Sequence, residues 1–409
     1  MIKENKVQSG YKKSPIGLIP NDWKISELSE ISKIKRGRFS PRPRDDPRYY
    51  NGSIPFVQTS DVTNSDSFIS TYTQTLNDEG LKVSILFPKG TILMTIAANI
   101  GHTAILEIDM ACPDSLVGIS CNEKIINRFL NYMFKYIQKR IEYIAPGAQK
   151  NINVEFLEPL AIVVPPLIEQ TAIANLLSTW DKAIQTTNSL IEQKQNRKKW
   201  LMQMLLTGKK RLKGFSGKSE FHVLGNYIKE VSERNKENKV QNVLSVTNRR
   251  GFINQSEQFD RVVASEDSTN YKIVRKGQFA YNPSRVNVGS LDLLKDFNEG
   301  ILSPMYVVFE TNSKKLDPIF LFYHLKSNWF NGHIPMFVQG SVRDSLSFDG
   351  LCGMKFFIPS MQEQTEIAKI IEVSDKEIQL LQNKLDQLKE QKKGLMQILL
   401  TGKKRLKVN

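Results

Sequence analysis

The sequence predicts an α+β protein: two mixed α/β domains, each followed by a long helix, the two helices pairing as an antiparallel coiled coil with pseudo-twofold symmetry. Three observations predict it. The first is a gapless internal repeat. Residues 165–213 read PPLIEQTAIANLL…DKAIQ…KKWLMQMLLTGKKRLK, and residues 359–407 read PSMQEQTEIAKII…DKEIQ…KKGLMQILLTGKKRLK. Glu169 aligns with Glu363, Asp181 with Asp375 and Lys213 with Lys407, always 194 positions apart. The second is the spacing inside the repeat. Ile173, Leu177, Trp180, Ile184, Thr187, Ile191, Lys194, Lys198, Leu201 and Leu205 alternate at steps of four and three, as do their counterparts from Ile367 to Leu399. That is the seam of a coiled coil. The third is that each repeat follows a segment of strand-like and helix-like runs whose residues differ between the halves.

Composition bounds the class. The chain has 409 residues, 57 Lys and Arg against 42 Asp and Glu, and a net charge of +15. Forty per cent hydrophobic residues argue against wholesale disorder. Three cysteines, Cys112, Cys121 and Cys352, make no disulfide framework and fit a reducing, cytoplasmic compartment. The opening residues lack the apolar region of a secretory signal, and no run is apolar enough to cross a membrane. Excess positive charge suggests a polyanionic partner, most simply nucleic acid.

In chain order, residues 1–13 form a polar tail and 14–160 the first variable domain. Within it IPFVQT (54–59), GTILMTIAA (90–98) and LVGIS (116–120) read as strands, and 127–144 as a helix with Phe129, Leu130, Met133, Phe134 and Ile137 on one face. Residues 161–213 form the first repeated helix, bounded by Pro before and Thr-Gly after. Residues 214–357 form the second variable domain, with RVVAS, GQFAYN and SPMYVVFE as strands and 318–329 as one short helix. Residues 358–409 hold the second repeated helix. Each helix would run ~35 to 40 residues, or ~55 Å. Two similar helices in one chain most simply pack together, and the antiparallel arrangement gives the pseudo-symmetry that DNA half-sites mirror. A parallel pairing, or a coiled coil serving oligomerisation only, is left open by periodicity alone.

Four groups of residues could meet DNA. The segment from Lys33 to Tyr50 carries Lys33, Lys35, Arg36, Arg38, Arg42, Arg44 and Arg48 among glycine and prolines. Such a loop can follow phosphates, and its arginines can fork onto guanine edges. The bland alternative is a solvated loop partly neutralised by Asp45 and Asp46. Two glycine loops, PGAQKNIN (146–153) and QGSVRDSL (339–346), offer Gln149, Lys150 and Asn151, and Gln339, Ser341 and Arg343. Asn282, Arg285 and Asn287 in YNPSRVNVGS form a third cluster, and Asn248, Arg249 and Arg250 a fourth.

Catalytic signals fail on inspection. YNPSR (281–285) only partly resembles the Asn/Asp-Pro-Pro-aromatic loop of amino-methyltransferases, because Ser284 and Arg285 replace the second proline and the aromatic. SGKS (216–219) lacks the upstream glycine of a phosphate loop, since that position is Leu212. Pro113–Asp114 with Glu123–Lys124 has the wrong spacing for a nuclease, and Glu390–Gln391–Lys392 lies within the repeated helix. The four histidines are scattered, without zinc-ligand spacing. The expectation is a chain that binds and does not catalyse.

With these residues in view, the chain resembles the specificity subunit of Type I restriction-modification systems. The likeness rests on IPNDWKISELSEI (19–31), the two helix starts PPLIEQTAIANLL and PSMQEQTEIAKII, the doubled LLTGKKRLK and the order of modules. FHVLGNYIKEV (221–231) stands where the second half should repeat IPNDW. The resemblance implies that the two variable domains are target recognition domains, each reading one half of a bipartite double-stranded DNA sequence. It implies that the antiparallel coiled coil sets the spacer and docks two methylation subunits, joined by two restriction subunits. It places the glycine loops among the DNA-facing loops. S-adenosylmethionine, ATP and Mg would then be held by the partner subunits, with no cofactor on this chain. Two other readings stand beside it: a self-sufficient methyltransferase or nuclease, and a coiled-coil scaffold that binds only proteins.

Overall fold

The structure is a computed structural model that describes residues 10–97, 99–144, 152–216, 220–255, 268–338 and 345–407. It divides into two units. One comprises Met1–Asn188 with Asn383–Asn409, the other Ser189–Gln382.

In the first unit, an antiparallel hairpin of Tyr11–Ser14 and Gly17–Pro20, which starts within the expected 1–13 tail, precedes β1 (Lys24–Glu27) and β2 (Ser32–Arg36). The chain continues through β3 (Tyr50–Phe56), β4 (Phe68–Ile69), β5 (Gln74–Leu76), β6 (Leu86–Phe87), β7 (Ile92–Thr95), β8 (Thr103–Leu106), β9 (Met110–Ala111) and β10 (Leu116–Cys121). Helix α1 (Asn127–Ile144) and β11 (Ala161–Val164) follow. One sheet has the order β2-β10-β7-β8-β4, a second the order β5-β3-β9-β6, and β11 pairs with β1. The helix α2 spans Leu167–Leu205.

In the second unit the strands are β12 (Phe221–Val223), β13 (Ile228–Glu230), β14 (Leu244–Thr247), β15 (Gly251–Asn254), β16 (Lys272–Arg275), β17 (Phe279–Tyr281), β18 (Leu291–Leu293), β19 (Glu299–Leu302) and β20 (Val307–Thr311). Helices α3 (Pro318–Leu325) and α4 (Asn328–His333), β21 (Lys355–Phe357) and the first part of helix α5 (Met361–Leu399) complete it, just as α2 contributes to both units. The order β13-β20-β17-β18 and the pairing of β12 with β21 reproduce β2-β10-β7-β8 and β1 with β11. The segment 221–231, which has no IPNDW match, nevertheless supplies the two strands that 24–36 supplies in the first unit. RVVAS (261–265) and Gly217–Ser219 of SGKS lie outside the described residues.

The single helix expected over 318–329 is two. Lys326 ends α3, and the Ser327 hydroxyl accepts from Phe330 N at 3.2 Å and so starts α4. A serine that can cap competes with continuation, which apolar spacing does not reveal.

The repeated helices are each 39 residues long and occupy the same places in the repeat. All the seam positions are buried or half-buried, from Ile173 to Leu205 and from Ile367 to Leu399. Burying the fully covered leucines and isoleucines there, such as Ile173, Leu177, Ile367 and Ile371, contributes ~1.5 to 3 kcal/mol each, more than helix propensity supplies. Both helices stop at a left-handed glycine, Gly208 (φ 68°) and Gly402 (φ 67°). Lys210 N and Lys404 N then bond back to Met204 O and Ile398 O at 3.0 and 3.1 Å.

The pairing is antiparallel within each unit. In the first, Glu169 meets Arg405 and Asp181 meets Lys392; in the second, Lys194 meets Glu377, Lys198 meets Asp375 and Arg211 meets Glu363. The polar seam residues Lys194, Lys198 and Lys392 therefore each face a carboxylate, which fixes register. Arg211 forks onto the fully buried Glu363, with Nε at 2.8 and 3.0 Å from its two oxygens. Arg405 does the same to Glu169, which also accepts from Trp23 Nε1 at 3.0 Å. Trp23, the last residue of IPNDW, is fully buried against the start of the first repeated helix.

Candidate nucleic-acid interface

The basic segment 33–50 is not a free run of cations. Arg36 Nε donates to Asp114 O at 2.7 Å, and Arg44 pairs with the Asp114 carboxylate at 2.8 Å, with Arg42 at 3.9 Å. Arg38 donates to Ser84 O at 3.0 Å, and Arg48 forks onto Asp46. Those hydrogen bonds hold the Asp46 carboxyl below its ordinary range. The Pro113–Asp114 pair thus serves to organise arginines. The side chains of Arg42 and Arg44 remain more than half exposed, at 57% and 54%, so each can still meet a phosphate. Lys33 and Lys35, on β2, are exposed and pair with nothing among the described residues.

Beside Arg44 lies a cleft of about 420 Å³. Its apolar wall is Phe39, Tyr50 and Phe56, with ring centroids 5.1 to 6.2 Å apart. Its polar rim includes two amides that reading the sequence passed over, Gln58 and Gln74, joined by Gln58 Nε2 to Gln74 Oε1 at 2.8 Å. The only sequence signal for them was position: Gln58 lies just past an apolar strand and Gln74 in the polar stretch TYTQT.

In the second unit, Asn248, Arg249 and Arg250 form the exposed turn between β14 and β15. The Thr247 hydroxyl accepts from Arg250 N and donates to Gly251 O, both at 3.2 Å, which holds the turn. On one side of it is a cleft of about 400 Å³ with Thr247, Asn248, Arg285, Tyr271 and Tyr306 in its lining. Asn282 also lines it but is only 8% exposed, and its Oδ1 caps the turn at Ser284 N, 3.1 Å away. Arg285 and Asn287 are exposed. On the other side is a cleft of about 380 Å³ with Arg249, Arg250, Lys295 and Lys326 in its lining. Lys295 Nζ sits 3.8 Å from the Phe322 ring centroid, and partial burial pulls its ammonium below the usual lysine range. The same lining holds Asp292, Asp296 and Asp375, and Asp292 pairs with Lys326 at 3.1 Å, so charges of both signs meet there.

Gln149, Lys150, Asn151, Gln339, Ser341 and Arg343 lie outside the described residues. The chain beyond each loop is anchored comparably: Ile152 N bonds Ile96 O at 3.0 Å, just past β7, and Leu346 N bonds Pro283 O at 3.1 Å, just past β17.

Burial raises the thiols of Cys112 and Cys121, the latter to about 12, so they stay protonated and unreactive. Among the described residues no three His, Cys, Asp or Glu side chains gather as a metal site, and no helix is long and apolar enough to cross a membrane.

The arrangement defines a class: paired α/β modules on one skeleton, each joined to an antiparallel helix pair and each carrying a differently lined polar cleft. A family model described as the Type I restriction modification DNA specificity domain matches residues 20–196 and 253–390. The chain belongs to that family. It is 27% identical over 429 residues to a protein of Methanocaldococcus jannaschii named as the specificity subunit of the type I restriction enzyme MjaX, covering 98% of each. It is 25% identical to the MjaVIII specificity subunit of the same organism, covering 95% of this chain and 94% of that one. Its fold is similar to the crystal structure of the S subunit of a Type-I restriction-modification system from M. genitalium, with a TM-score of 0.57 and 17% identity over 92% of this chain and 96% of that one.

Proposed function

We propose that this specificity subunit reads a bipartite duplex DNA target, one half through each unit, and performs no chemistry itself. The observation that carries the reading is one strand skeleton repeated in both units with unlike side chains around each cleft, as expected of two readers of different sequences. The helix pair sets the gap between half-sites and docks two methylation subunits, which bring S-adenosylmethionine. Two restriction subunits, with ATP and Mg, complete the assembly. Arg36, Arg38, Arg42, Arg44, Arg249 and Arg250 supply the salt-dependent part of affinity, and Arg285, Asn282, Asn287 and the glycine loops contribute near the bases.

The test is methylome sequencing of a host that expresses the chain with its methylation subunits. One gapped, two-part motif is the expected result; methylation without such a motif would falsify the reading. Gel shifts of the purified chain provide a second arm, because a protein-only scaffold would retain no fragment selectively against competitor DNA.

A further inference from the structure

We infer that Gln58 and Gln74 determine one base of the half-site read by the first unit, and that this base is an adenine. The inference rests on the bipartite reading above and assigns a part of it to named atoms. Both backbones are fixed before any ligand arrives. Gln58 caps the short helix Thr59–Thr63, with its N–H donating to Asp61 Oδ2 at 2.8 Å. Gln74 opens β5 and pairs in register with Phe56. Thr59 Oγ1 lies 3.1 Å from Ser115 Oγ, tying this edge to the Pro113 turn.

The hydrogen bond from Gln58 Nε2 to Gln74 Oε1 then orients the two amides against each other. It leaves the Gln74 amide nitrogen, on an exposed side chain, with two N–H donors and no partner among the described residues. Donor and acceptor on adjacent amides suit the N7 acceptor and N6 donor that adenine presents in the major groove. A pair held this way has little freedom to lose on binding.

The place in the fold supports the same assignment. Pro113 stands three residues before β10 and lines this cleft; Pro304 stands three residues before β20, the equivalent strand, and its neighbours Ser303 and Met305 line the cleft of the second unit. The corresponding edge of the sheets therefore carries a cleft in both units. Their linings differ: an amide pair over aromatic rings in one, hydroxyls with Asn248 and Arg285 in the other.

The experiment is methylome sequencing of the complete complex carrying Gln74→Ala, Gln58→Ala or Gln74→Glu, with melting curves to establish that each variant folds. The alanine variants should accept other bases at a single adenine position of one half-site, with discrimination lowered about 10- to 100-fold. Gln74→Glu should move that position toward cytosine, whose N4 amine a carboxylate accepts. The other half-site and the gap should not change. An unchanged motif in both alanine variants overturns the assignment, as does an equal loss at both half-sites in a folded variant. A wild-type chain without any bipartite motif defeats the underlying reading instead, so the two failures are distinguishable.

Discussion

His324 is 1% exposed, and neither ring nitrogen has a hydrogen-bond partner among the described residues. It is packed against Phe356 and Trp329, with ring centroids 4.4 and 5.2 Å away. Removal from water disfavours the imidazolium and pushes the pKa down from 6.5 to about 3. The folded chain thus keeps this ring neutral while the unfolded chain takes up a proton as the pH falls below 6.5. Stability that the neutral ring permits is fully present above 6.5 and is lost progressively between 6.5 and about 3. Going from pH 7 to pH 5 should cost about 2 kcal/mol from this residue alone. Urea unfolding at the two pH values measures it, and His324→Phe should remove most of the difference. An equal pH dependence in that variant would show that the ring is not the source.

At the scale of elements, the junction between each domain and the helix pair is built twice from the same residues. In the first unit Asp181 accepts from Tyr132 OH at 2.5 Å and Ser67 Oγ at 3.1 Å, and pairs with Lys392, whose Nζ lies 5.4 Å from the Tyr132 ring centroid. In the second, Asp375 accepts from Tyr323 OH at 2.8 Å and pairs with Lys198, 5.4 Å from the Tyr323 ring. Lys135, half-buried beside the first junction and bonded to Ser67, is lowered to about 8 by its partial removal from water. Because each tyrosine joins a domain helix to a carboxylate on a repeated helix, Tyr132→Phe and Tyr323→Phe should each lose ~1 to 2 kcal/mol, read as a lower urea midpoint. A midpoint unchanged by either substitution would mean that packing alone holds the junction.

The repeat made both aspartates and both lysines visible in the sequence, and the 4-3 spacing gave helices of nearly the observed extent. Their partners were not visible, since Tyr132 lies 49 residues from Asp181 and Tyr323 lies 52 from Asp375. The same reason explains the basic segment: the sequence offers Asp45 and Asp46 as nearby carboxylates, but the partner of Arg44 is Asp114, 70 residues on. Local pattern reveals periodicity and caps. It does not reveal which distant carboxylate a loop folds onto, nor that Gln58, at a helix start, meets Gln74, at a strand start.

For the whole molecule, the decisive property is that each unit is closed on its own. Phe129, Ile173, Leu177, Leu399 and Leu400 share one core, and their counterparts Phe320, Ile367, Ile371, Leu205 and Leu206 share another. Each unit also contains its own Arg–Glu fork and Tyr–Asp–Lys junction. Seven residues inserted into both long helices, after Asn188 and after Gln382, would fall between the units and preserve the seam register. Neither core nor cleft would be touched. At 1.5 Å per residue the insertion adds ~10 Å, equivalent to at most about three base pairs along a duplex. The methylome of this variant should retain both half-site sequences and differ in the gap between them, by no more than that amount. Altered half-sites with an unchanged gap would mean that the helices shape the readers and do not space them, contrary to the division of labour proposed for this chain.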